Sequence, residues 1–373
     1  MMRSQTIRSL PLLVLVCTGC MDGPIADSDA GIDADDPDAG RLIDAASTRD
    51  AGPSFFDAFV APTDTGPRLF DTNIGDASGA CAAPRRLDTI GVGTFPISIA
   101  EAAGYLYVVS TGVGVNVVDA RDPTTMTAIA GTIAISQPSG VAARDGRMVV
   151  TGQATSPSYQ VYVFDTTTPA TPHMLYVLDD GTFSTRVLMS GSLVLDIGYA
   201  GLATWALGAT SGREVGSVTA AGGPELSVDR DGDRVAVASA HGQVFVIDVS
   251  APAAPRIEAM GSTGTQTYSV ALAGNRVYVG GDEGITMMTV SGTTIDVETT
   301  VRFVSSVWAM ARWRDALLVV THYGGMYVVD PSDPTIHRAE VDASGWAIAI
   351  DDADVAFVVD GSDASVTSVD LCP

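Results

Sequence analysis

Side chains able to do chemistry are few in this 373-residue chain, and their spacing is informative. The four histidines, His173, His241, His322 and His337, are scattered, with no two inside one helical turn, so no zinc-type pair of ligands can be read from them. All 20 basic residues are Arg; without Lys, Schiff-base chemistry and a phosphate-binding lysine are excluded. DRDGD (229–233) looks like a calcium loop, but its Gly stands fourth where an EF-hand needs it sixth, and no Glu follows at the twelfth position. GVGVN (112–116) is followed by no helix, so it is not a dinucleotide fingerprint, and no G-x-S-x-G nucleophile elbow occurs. What remains is a set of aromatic residues. Tyr268, Trp308 and Trp346 recur at matching points of a repeat, with Asp282, Glu283, His322 and Tyr323 in short turns after them. Aromatic faces beside carboxylates and an imidazole can hold a sugar, a peptide or a cationic group.

The repeat supplies the elements that must position these residues. The phrase VVDPSDP (328–334) has the same form as VVDARDP (117–123), VFDTTTP (163–169) and VIDVSAP (246–252). Its aspartates are spaced 46, 83 and 82 residues apart, so the longer intervals are double steps of about 41. Turns at Gly104, Gly146, Gly191, Gly232, Gly274, Asp315 and Asp352–Ala353 fill the gaps and mark seven units. The runs between them are short, rich in Val, Ile and Thr and bounded by Gly and Asp, as in SVALA (269–273), RVYVG (276–280), ITMMTV (285–290) and TIDVETTV (294–301). No ten-residue stretch has a helical period. The fold class that follows is all-β: a seven-bladed β-propeller of four-stranded blades. RRLDTIGV (85–92) reads as the missing outer strand of the last blade, paired with SVTSVD (365–370), so that an N-terminal strand closes the ring.

Within each phrase the Asp is expected to accept backbone N–H groups two residues on, and the Pro to end the third strand. Aligning the seven units puts Ile97, Gly140, Thr185, Leu226, Tyr268, Trp308 and Trp346 at the start of the inner strands. The turns between second and third strands bring Tyr199, His241, Asp282, Glu283, His322, Tyr323 and Asp360 to the same face.

The phrase and its apolar lead resemble the LVIVD repeat of secreted bacterial β-propellers over residues 85–371; the resemblance implies the fold and no shared chemistry. Residues 1–19 resemble a bacterial lipoprotein signal. Arg3 and Arg8 precede the apolar LPLLVLVC (10–17), too short to span a bilayer, and CTGC places Gly19 before Cys20. That resemblance implies lipidation of Cys20. Residues 20–80 then form a linker holding 13 Asp and three Arg, whose composition is that of a disordered acidic tether. The folded domain is residues 81–373. Cys81 and Cys372 remain at its two ends, and in an oxidising compartment they suggest a disulfide.

A formal charge of −24 opposes nucleic acid and anionic lipid as partners. The expectation is a monomer in the bacterial cell envelope, periplasmic or surface-exposed, reaching the membrane only through its lipid anchor. It would be a non-enzymatic binding or scaffold module for an envelope or extracellular protein or polymer, with no cofactor. The alternatives are a calcium-dependent hydrolase or lactonase of the propeller type, and a purely structural envelope protein.

Overall fold

The structure, a computed structural model, describes residues 83–155, 158–178, 184–220 and 225–372. Cys20, Cys81 and the segments expected to be a signal (1–19) and an acidic linker (20–80) lie outside the described residues.

Among the described residues every regular element is a strand. After β1 (Arg85–Gly91) come β2 (Pro96–Ala102), β3 (Tyr105–Ser110), β4 (Gly114–Asp119) and β5 (Thr127–Ile133). Next are β6 (Pro138–Arg144), β7 (Arg147–Thr155), β8 (Ser158–Asp165) and β9 (His173–Leu178), then β10 (Ser184–Ser190), β11 (Leu193–Gly198), β12 (Gly201–Leu207) and β13 (Gly212–Thr219). They are followed by β14 (Glu225–Asp231), β15 (Arg234–Ser239), β16 (Gln243–Asp248) and β17 (Arg256–Ser262), and by β18 (Thr267–Ala273), β19 (Arg276–Gly281), β20 (Gly284–Ser291) and β21 (Thr294–Val301). The chain continues through β22 (Val307–Trp313), β23 (Ala316–Thr321), β24 (Met326–Asp330) and β25 (Asp333–Val341), to β26 (Ala347–Ile350), β27 (Val355–Asp360) and β28 (Ser365–Asp370).

Four antiparallel meanders, β2–β5, β6–β9, β10–β13 and β22–β25, each make a four-stranded sheet, and β1-β28-β27-β26 makes another. The meanders β14–β17 and β18–β21 join into one eight-stranded sheet through a short parallel pairing, Met260 opposite Thr294 and Gly261 opposite Ile295. The first strands β2, β6, β10, β14, β18, β22 and β26 neighbour one another in that order, and β26 also lies against β2. As expected, β1 pairs with β28, from Arg85 opposite Asp370 to Gly91 opposite Ser365.

The apolar content sits in the middle strands. All six residues of β3 and of β23 are buried, whereas β5 and β21 are largely exposed. A strand packed on both faces reads as an unbroken Val/Leu run, while an outer strand needs no apolar majority. That contrast is why YLYVVS and ALLVVT stand out in the sequence and the fourth strands do not.

The repeated phrase does two jobs. Within its own sheet Oδ1 of Asp119, Asp165, Asp248 and Asp330 accepts the N–H of Arg121, Thr167, Ser250 and Ser332 respectively, at 2.7–3.2 Å. Across to the preceding sheet, a backbone carbonyl of the same turn takes a hydroxyl. Ser368 donates to Pro123 O at 2.6 Å, Tyr107 to Pro169 O at 3.4 Å, Thr204 to Pro252 O at 2.6 Å, and Tyr278 to Pro331 O at 2.7 Å. The turn therefore fastens neighbouring sheets as well as ending a strand. Pro334 departs from the expected role: it lies inside β25, at the second residue of an outer strand, where no ladder donor is required.

Candidate functional site

The first strands share a local defect. In β2, β6, β10, β14, β18 and β22 the register slips across Ile97, Ser139, Thr185, Leu226, Tyr268 and Trp308, each the second residue of its strand. A bulge of this kind leaves one residue out of the ladder and re-aims its side chain. The sequence alignment had this position right in five of these six strands. In β6 the bulged residue is Ser139, and Gly140 is the next residue along, paired with Thr151. Trp346 occupies the corresponding place before β26, its N–H donating to Val359 O at 2.7 Å.

Three consecutive bulges thus present Tyr268, Trp308 and Trp346, and the rings meet. Tyr268 stacks on Trp308 with centroids 4.6 Å apart and planes 12° apart; Trp308 stacks on Trp346 at 5.2 Å and 28°. The far side of Trp346 rests on Gly361, where a Cβ would come within 2.6 Å of the indole. His322 lies 4.9 Å from Trp308 and 6.0 Å from Trp346, and Tyr323 stacks on His322 at 3.8 Å. The β23–β24 turn that carries His322 and Tyr323 is fixed by buried Thr321, which takes the Gly324 N–H at 2.9 Å and donates to Gly325 O at 2.9 Å.

The polar side of the cluster is Asp282. Its Oδ1 accepts the Tyr268 hydroxyl at 2.8 Å and the Ser306 hydroxyl at 3.1 Å. Burial first, and then the bond to Asp282, push the Tyr268 phenol well above its ordinary range, so it stays protonated and donating. Burial lowers the His322 pKa, against an opposing pull from Asp360, so at neutral pH the imidazole is uncharged. Glu283, exposed in the same turn, makes no hydrogen bond among the described residues.

The structure therefore gathers Tyr268, Trp308, Trp346, His322, Tyr323 and Asp282, with Glu283 at the margin. It also changes what they can do. Both faces of Trp308 are covered by rings, and Trp346 lies between an indole and a glycine, so neither offers an open platform. Tyr323, 57 % exposed, is the ring that faces outward, backed by His322.

Other motifs resolve differently. DRDGD forms the β14–β15 hairpin turn, as its spacing suggests. Its carboxylates have a use that sequence reasoning missed. Ser227 Oγ, Asp229 Oδ2 and Asp231 Oδ2 accept the N–H groups of Val270, Leu272 and Gly274 at 3.0, 2.8 and 2.7 Å, a side-chain ladder along the free edge of β18. Arg312 lies 3.8 Å from Asp229 and 3.2 Å from Asp231. A second ring cluster, Phe303, Tyr327 and His337, also went unread. His173 approaches Asp165 at 3.8 Å and His241 is exposed. Among the described residues no group of three His, Cys, Asp or Glu side chains is placed to hold a metal ion.

No known family model and no curated protein matches the chain. Among solved structures it is similar to the computationally designed Ika8 protein, with a TM-score of 0.54 and 12 % identity over 76 % of this chain and 99 % of that one. At that identity the likeness shows a fold and carries nothing about a site.

Proposed function

We propose that the chain is a seven-bladed β-propeller of the LVIVD-repeat kind, acting as a non-enzymatic binding or scaffold module for an envelope or extracellular protein or polymer. Seven blades are supported by the cyclic order of the first strands and by β1 completing the sheet of β26–β28. In this reading Cys20 carries the lipid, the acidic linker spaces the domain from the membrane, and Cys81 is bonded to Cys372. The pairing of Arg85 with Asp370 puts the chain just after Cys81 beside the strand that ends two residues before Cys372.

One observation carries the binding role: the outward face of Tyr323, 57 % exposed and stacked on His322. A rigid ring held on its inner side by a packed aromatic column is suited to lie on a flat surface or a polymer chain. The test is a thermal melt of the full chain under oxidising conditions with peptidoglycan fragments, oligosaccharides, envelope polypeptides and divalent metals. A ligand of the native state raises the midpoint. The expected result is a rise with one polymer or polypeptide fraction that disappears in Tyr323→Ala. A rise with calcium alone, or none with any polymer or polypeptide, overturns the reading.

A further inference from the structure

Tyr323 turns one ring face to solvent and rests the other on His322, and the charges around it are one-sided. Among the turns that join second to third strands, every carboxylate falls in two: Asp282 and Glu283 between β19 and β20, and Asp360 and Asp363 where β27 passes to β28. The β23–β24 turn, with His322 and Tyr323, belongs to the sheet between those two in the cyclic order of first strands. None of the three turns holds an Arg. Each flanking turn connects to the middle one through a single residue. Asp282 Oδ1 accepts the Ser306 hydroxyl at 3.1 Å, and Ser306 O accepts the His322 N–H at 3.0 Å. Gly361, beside Asp360, carries Trp346, whose ring lies 6.0 Å from His322. Ser305 Oγ takes the Tyr323 N–H at 3.3 Å, so the ring is held from the side of Asp282 as well. Arg302 begins the β21–β22 loop next to the outer strand, whereas Ser305 and Ser306 end it next to the inner strand β22. The carboxylates of Glu283 and Asp363 make no hydrogen bond or ion pair among the described residues.

We propose that the Tyr323 surface receives an arginine side chain of a partner polypeptide, an inference that rests on the binding role assigned to Tyr323 above. The face of a phenol ring is the negative side of its quadrupole and attracts a cation laid over it. A guanidinium is planar, so it can lie on the ring while the N–H groups at its rim point toward carboxylates on either side. The imidazole behind the ring is neutral at pH 7 and does not oppose that charge. At longer range the formal charge of −24 draws a basic partner and repels an acidic one. An uncharged sugar would stack on the same ring but would leave the one-sided charge unused.

The experiment titrates acetyl-Gly-Gly-Arg-Gly-Gly-amide into the full chain labelled with 13C-tyrosine, at constant ionic strength. The control is the same peptide with citrulline, which keeps the shape of arginine and lacks its charge. The ring signal of Tyr323, identified by its loss in Tyr323→Leu, should move saturably with the arginine peptide and require at least about threefold more of the citrulline peptide. Broadening of the peptide's own resonances should show Tyr323→Leu binding the arginine form about three- to tenfold more weakly. The double variant Glu283→Gln with Asp363→Asn should keep the ring signal and need more peptide to move it. Equal movement with the two peptides in wild type overturns the arginine, whether or not any variant folds, and leaves the binding role standing. Undiminished binding to a folded Tyr323→Leu shows general attraction to an acidic chain and overturns it as well. No movement with either peptide also overturns the arginine; the binding role falls with it only if the polymer and polypeptide fractions leave the melting midpoint unchanged.

Discussion

The aspartate of the repeated phrase is the residue on which most of the local order turns. Hydroxyl and N–H groups of Ser250, and then Arg256, hold Asp248 down to about 2; Ser332 and Arg338 do the same for Asp330. Both lie below the ordinary 3.8, so the unfolded chain takes up protons first as the solution is acidified. The stability these turns contribute is complete above about pH 4 and is lost as the pH falls from there toward about 2. The double variant Asp248→Asn with Asp330→Asn should therefore melt below wild type at pH 6 and approach it near pH 2.5. A gap that stays constant across that range would contradict the linkage. The role of this Asp was legible because its hydrogen bond is local, two residues along the chain. The proline carbonyls that accept Thr204 and Tyr278 were not, because those donors stand 48 and 53 residues away and no spacing announces them.

At the scale of elements, strand order and boundaries were readable wherever burial forces an apolar run, as in β3, β19 and β27. Register was not. A bulge adds one residue without changing composition, and so the alignment slipped from Ser139 to Gly140 in β6. The candidate site suffered more: matching positions identified the rings, yet only their packing in the fold shows that Trp308 is covered on both faces. The tight turns add a steric requirement. Gly284 opens β20 at φ +116°, and a Cβ there would run into the backbone carbonyl of Val301. Gly292 has φ +63° with open space around its Cβ position. Gly284→Ala should lose about 2 kcal/mol or more, and Gly292→Ala about 1 kcal/mol. Equilibrium urea unfolding of the two variants checks the order; equal losses would remove the steric argument.

For the molecule as a whole, the decisive pairing joins residues at opposite ends of the described chain. Sheet β26–β28 has its outer edge covered by β1, and Ile90 stands opposite Val366. Ile90→Pro removes a donor from that seam and part of its packing. It should lower the melting midpoint by roughly 5–10 °C. A variant that melts with wild type would mean that β1 is an ornament on an already stable domain. The closing strand was legible because RRLDTIGV follows the pattern of the fourth strands while preceding the first unit, leaving a surplus strand at one end and a deficit at the other.

The ladder between β14 and β18 has a consequence for the clock of amide exchange. The amides of Val270, Leu272 and Gly274 face away from β19, where an edge strand ordinarily surrenders its protons to water within the lifetime of small fluctuations. Here three side-chain oxygens stand in for a missing neighbour strand. Their deuterium uptake should lag that of Met310 and Arg312 in β22, whose amides meet no side-chain acceptor among the described residues. One seam of the inner ring would then keep time with the core while the equivalent edge beside it keeps time with the solvent.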